Sequence, residues 1–143
     1  MQTISSVTIC IETAPIDRTS VSTLPTAQAI AGFLADRKAS DIVILDVSGL
    51  SSVTDTFVIA TGRSGVHVKA ACQRVEEGMR NLGQRPISRE GVDHGHWALL
   101  DYGDVVVHVF QERSRDLYDL ERLWSRAPRT RFEDPAVVAR TGN

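Results

Sequence analysis

Cysteine is nearly absent: Cys10 and Cys72 are the two thiols in 143 residues. They form no CxxC pair and no ladder of spacings. The sequence therefore argues against a disulfide scaffold and a structural zinc site, and it fits a reducing, cytosol-like compartment. No apolar run approaches the roughly 18 residues that a membrane-spanning helix needs. Excess charge is missing too. Sixteen basic residues face 18 acidic ones, for a formal net charge of −2. That excludes a protein whose affinity comes mainly from a broadly basic surface. Lysine is rare, with two against fourteen arginines. The arginines are scattered, which reads as compositional bias rather than as a binding signal. Aromatic residues make up only 6% of the chain, so their placement carries information.

What is present is ordinary globular material, 42% apolar and 24% charged. The length is about one domain's worth, enough to bury roughly two thirds of the unfolded surface. Residues 1–25 hold Pro15, Pro25 and many Ser and Thr without a clear period. They read as a flexible extension with neither a secretory nor an organelle-targeting pattern. Thr26 reads as an N-cap, and Ala27, Ile30, Ala31 and Leu34 follow at helical spacing as far as Arg37. The β-branched runs at 42–47 and 56–61 predict strands, the first buried on both faces. Ser64 can cap a helix from Gly65 to about Leu82. Val68, Cys72, Val75, Met79 and Leu82 form its apolar stripe, and Gly83 stands just past its end. Residues 84–90 predict a weak edge strand, followed by strong strands at 96–101 and 105–111. Ser114 can cap a last helix to about Arg126, with Leu117, Leu120 and Trp124 packed on the sheet and Tyr118 and Glu121 nearer its edge; residues 127–143 read as a loose tail. The order predicts an α/β (α+β) domain with a mixed sheet over 26–126.

The hairpin can be read face by face. A two-residue turn at Tyr102-Gly103 sets Leu100 opposite Val105, Ala98 opposite Val107 and His96 opposite Val109, a small apolar face for the core. The other face carries Trp97, Leu99 and Asp101 opposite His108, Val106 and Asp104. Large aromatic, aliphatic and charged groups together suit a partner-binding surface. A helix covering this face, with Trp97 in the core, is the alternative. Six acids lie between Asp101 and Glu121 against Arg113 and Arg115, which suits a basic partner or a plain solvated face. Five of the eight aromatic residues fall between Trp97 and Trp124, and that clustering beside acids points to protein binding.

Catalytic patterns are weak. The turn Gly62-Arg63-Ser64-Gly65 resembles the Gly-Ser turn of nucleotidyltransferases, which need paired carboxylates on a following strand to hold magnesium. Here Asp101 and Asp104 flank a turn instead, so strand end and N-cap is the simpler reading. His94-Gly95-His96 could start a metal site, but no third ligand is evident. Cys72 lies on the apolar stripe as a core thiol, and Ser64 has no GxSxG context.

The stretches KASDIVILDVSGLSSVTDTFVIATGRSGVHVKA (38–70), WALLDYGDVVVHVF (97–110) and RDLYDLERLW (115–124) resemble the ribosomal silencing factor family, also called Iojap-like. The likeness runs from about 26 to 126. Thr56 departs from it, standing where the family usually has an aromatic residue. The resemblance implies a single-domain, nucleotidyltransferase-like fold without catalytic carboxylates, and hence no enzyme and no cofactor. It implies binding to the large ribosomal subunit through that subunit's basic fourteenth protein. Such binding would block joining of the small subunit and repress translation when nutrients are scarce. It further implies a homodimer when free, little direct RNA contact, no membrane, and a bacterial cytoplasm rather than an organelle. On that reading Trp97, Leu99 and Tyr102 are apolar anchors. Asp101, Asp104 and Glu121 pair with basic residues of the partner, and Tyr118 is an edge contact. A large-subunit assembly factor and a residual nucleotide-binding enzyme are the alternatives.

Overall fold

A computed structural model describes residues 18–132, with side chains from 25 onward. Its elements run α1 (Arg18–Asp36), β1 (Ser40–Asp46), β2 (Thr56–Gly62), α2 (Gly65–Asn81), β3 (Ser88–Glu90), β4 (Trp97–Asp101), β5 (Val105–Gln111), α3 (Glu112–Tyr118), α4 (Leu120–Leu123) and β6 (Arg129–Arg131). The six strands form one mixed sheet in the order β3-β4-β5-β2-β1-β6. Only the β2–β5 pair is parallel, and α2 lies on the connection between those two strands.

Alternation along the strands divides the apolar residues into two cores. Ile42, Ile44, Val58, Ala60, Ala98, Leu100, Val105, Val107 and Val109 face α1 and α2. Val43, Leu45, Phe57, Ile59, Val106 and Phe110 face the other way. The helix stripes match the sequence reading, since Ala27, Ile30, Ala31, Leu34, Val68, Cys72, Val75 and Met79 are fully buried. Leu82 is the exception and stays exposed, because it lies past the helix end as the C-cap. Ser64 caps α2 by accepting the His67 N–H at 3.1 Å. Gly83, at φ 82°, occupies the left-handed position expected after a helix.

Four expectations need correction. Helix α1 begins at Arg18, not after a cap at Thr26, and runs through Pro25. One proline removes a single backbone donor and bends a helix without having to end it. The expected extension therefore loses residues 18–25 to the helix, and its residues 1–17 lie outside the described residues. The tail is not loose at its start, because β6 pairs with β1; residues 133–143 lie outside the described residues. The hairpin turn sits one residue later than expected. Tyr102 N–H donates to Val105 O at 2.9 Å, so Leu100 faces Val107, Ala98 faces Val109 and Trp97 faces Phe110. The register moves by two, which changes every partner and no face. His96 falls outside β4 and is exposed instead of core. Finally, the last helix is two pieces. Asp119 adopts the left-handed conformation (φ 47°) between α3 and α4, and Gln111 rather than Ser114 stands at the N-cap. Short polar side chains tolerate that backbone.

Gly78 of α2 lies directly against the Phe33 ring of α1. A methyl group there would fall within van der Waals contact of the Phe33 ring, which the Arg74 guanidinium flanks at 4.9 Å from the ring centroid. Alanine favours a helix over glycine by about 1 kcal/mol. The clash outweighs that preference, so Gly78→Ala lowers stability by about 1–2 kcal/mol. A urea titration followed by circular dichroism measures it, and a gain in stability would contradict the packing.

Candidate functional site

One face of the sheet is closed by α1 and α2, whereas the other is covered only in part. The segment from α3 to β6 crosses β5 and β2 and brings Leu120, Trp124 and Ala127 onto Phe57 and the second core. Across this face Trp97 and Leu99 of β4 remain half-buried, Tyr118 is 53% exposed, and Leu117 and Leu123 are more exposed still. Leu117 was expected to pack on the sheet. The break at Asp119 prevents this, because residues 117 and 120 no longer share a helical face. A helical segment thus covers the β2–β5 half of this face and leaves the β4 half partly exposed.

Trp97 is held by three groups. Its ring stacks on Phe110 with centroids 5.0 Å apart, and Tyr118 lies 4.5 Å away. Its Nε1–H donates to Nδ1 of His108 at 3.1 Å. The backbone turn behind it needs Gly91, at φ 73°, where any side chain would strike the Trp97 carbonyl. His108 is 4% exposed and has the Phe57 ring edge-on at 5.0 Å. Since Nδ1 accepts, the proton of the neutral ring sits on Nε2. That buried nitrogen finds no hydrogen-bond partner among the described residues.

The acids gather at the sheet end beside the β4–β5 turn. Asp101 shares the face of Trp97 and Leu99, and its Oδ1 accepts the Gly103 N–H at 2.8 Å. Asp104 is exposed, and its carbonyl accepts from Asp55 and Thr56. Burial, followed by the charges of Asp104 and Asp46, raises the Asp55 carboxyl above its ordinary value. Asp46 and Asp55 thus join this negative end, which the sequence reading missed because they come from separate strands. Their only signal was a place at opposite ends of one strand-to-strand connection.

Tyr102 and Glu121 leave the expected surface. Tyr102 turns to the helix side, packs on the first core and buries its hydroxyl. Burial, with Glu76 nearby, pushes its pKa up to about 12. Glu121 is taken by its own chain: Oε1 accepts from Arg115 Nε at 2.9 Å, and Oε2 meets Arg129. Arg115 also donates to Thr61 Oγ1 at 2.6 Å and to the Asp41 carbonyl at 2.7 Å. These contacts outweigh the burial of Glu121 and hold its carboxyl below the usual range. A carboxylate so engaged is a clamp and not a free contact.

The other motifs stay structural. The Ser64 hydroxyl is used by the α2 cap, and the His67 ring bridges the Arg63 N–H and the Arg37 carbonyl. His94 and His96 are exposed, and no group of three metal-ligating side chains occurs among the described residues. Burial pushes the Cys72 thiol up to about 12, which keeps it protonated. A cleft between the β2–α2 turn and α3 sets Arg63 and Arg113 against Glu112 and Asp116, a mixed lining without a dominant sign.

Two predictions follow from these contacts. Glu121→Gln weakens the clamp and lowers stability by about 1–3 kcal/mol, read from its denaturation midpoint. Burial lowers the His108 pKa to about 4, while in the unfolded chain it titrates near 6.5. Between those values the unfolded state binds a proton that the folded state rejects. Stability is therefore full above pH 6.5 and falls toward pH 4, by up to about 3 kcal/mol. His108→Leu flattens this dependence in urea titrations from pH 4 to 7; equal slopes in both proteins would rule the effect out.

The family model described as ribosomal silencing factor during starvation matches residues 20–142. It extends beyond the 26–126 limits of the sequence resemblance. The chain is 42% identical over 93 residues to the ribosomal silencing factor of Bacillus subtilis, covering 65% of this chain and 79% of that one. It is 43% identical over 91 residues to the ribosomal silencing factor of Chromobacterium violaceum, covering 64% and 75%. The crystal structure of protein CV0518 from Chromobacterium violaceum superposes with a TM-score of 0.68 at 39% identity, covering 71% of this chain and 86% of that one. By the extent of the family match, this chain belongs to the ribosomal silencing factor family.

Proposed function

We propose that the protein docks on the large ribosomal subunit through the open half of the Trp97 face and thereby prevents joining of the small subunit. The observation that carries this reading is that face itself: an ordered, half-exposed tryptophan with Leu99 and Tyr118 beside it and Asp101 and Asp104 on the same hairpin. Anchoring aromatic groups with a charged rim are what a protein-binding site of high affinity uses. The acids favour a basic partner, and the family resemblance points to the fourteenth protein of the large subunit. Repression of translation under nutrient limitation, in a bacterial cytoplasm and without catalysis or cofactor, is the role that fits. A nucleotidyltransferase-like ancestry without the metal-binding carboxylates accords with it. Apolar residues on the open face would also serve a second copy of the chain when the subunit is absent.

The test is subunit joining followed by light scattering. Purified protein added to large subunits lowers joining when small subunits follow. Asp104→Lys reverses an exposed charge without a folding penalty; it slows association and makes inhibition less salt-dependent. Trp97→Ala removes an anchor and weakens binding by about 2–3 kcal/mol, with a melting curve to confirm a folded domain. Binding without loss of joining would instead identify an assembly factor, and absence of binding would sink the proposal.

A further inference from the structure

His108 lies beneath the surface, yet its bond reaches the residue that the docking reading puts first. Its Nε2 is buried without a hydrogen-bond partner among the described residues, while its Nδ1 accepts the Trp97 indole N–H. Stacking on Phe110 and Tyr118 restrains the plane of the Trp97 indole. The bond from Nε1–H to His108 Nδ1 adds a direction, because it is made with the indole's nitrogen edge turned inward.

We infer that His108 is a positioning residue: its Nδ1 fixes the edge and angle at which Trp97 meets the partner, so that docking does not have to order the ring. This rests on the reading of the Trp97 face as the docking surface. The bond directs the indole's nitrogen edge into the protein and turns its hydrocarbon edge outward. The surface offered to a partner is then purely apolar at its centre, with no indole donor to desolvate on binding.

The experiment uses the full-length protein and isolated large ribosomal subunits. In the free ¹⁵N-labelled protein, the two indole N–H signals come from Trp97 and Trp124, and Trp97→Phe identifies the first. That signal is protected from exchange in the wild type. It is also protected in His108→Asn, whose side-chain oxygen replaces Nδ1 as acceptor, and it becomes solvent-like in His108→Leu. His108→Leu weakens binding to large subunits roughly tenfold while its neutral-pH melting point holds or rises; His108→Asn stays within about threefold of the wild type. Adding His108→Leu to Trp97→Phe, which removes the indole donor, produces no further loss. Wild-type affinity in His108→Leu, additive losses in the double variant, or equal losses in the Asn and Leu variants would each overturn the inference. A wild type that binds no large subunit overturns the docking reading itself, a result separate from any comparison among variants.

Discussion

Arg115 is where the open face gets its shape. One guanidinium joins the end of β2 through Thr61, the start of β1 through the Asp41 carbonyl, and α4 through Glu121. Its side chain is only 12% exposed, so these bonds operate where water competes weakly. Through Glu121 the network continues to Arg129, and Arg131 returns it to Asp41. The short pieces α3 and α4 could not stand alone as helices. The clamp holds them against the sheet, and their position decides which aromatic residues are covered and which remain available.

The division of labour between the two sheet faces follows from this. On the helix side, two long amphipathic helices bury their stripes against aliphatic residues of the sheet, and that core is closed. On the other side the cover is a thin, broken segment fastened by charge. Phe57 and Phe110 are sealed under it, while Trp97 is braced and left half-open. A surface built this way has aromatic groups ordered before any partner arrives, which lowers the entropic penalty of association.

Periodicity made most of the fold legible. The stripes of α1 and α2, the doubly buried β1, the Ser64 cap and the two faces of the hairpin follow from local patterns, and parity protects the faces even when the turn is misplaced by a residue. The misses around the last helix share a cause in the way short segments fold back on one another. Arg115 and Arg129 are near Glu121 in sequence, but helical periodicity does not show that Asp119 will break the helix, turn Leu117 outward and bring both arginines onto one carboxylate. Tyr102 looked like a surface anchor beside Trp97. Its ring instead follows the turn to the opposite side and settles near Glu76. Trp97, Leu99, Asp101, Asp104 and Tyr118 could be grouped from sequence because one hairpin and one following segment hold them all. His108 was placed on the correct face, but its bond to Trp97 required the third dimension.

The shortness of the outermost strands has a consequence for how the chain behaves in company. Strand β1 is apolar on both faces, so a bare outer edge there would invite another strand to add to it. Strand β6 occupies that edge opposite Val43, Ile44 and Leu45 with Arg-Thr-Arg. It contributes backbone bonds to the sheet and presents arginines beside the exposed rim. The opposite edge, β3, is equally brief and carries Arg89 and Glu90. Among the described residues, both borders of the sheet are therefore guarded by charge against growth into a larger one.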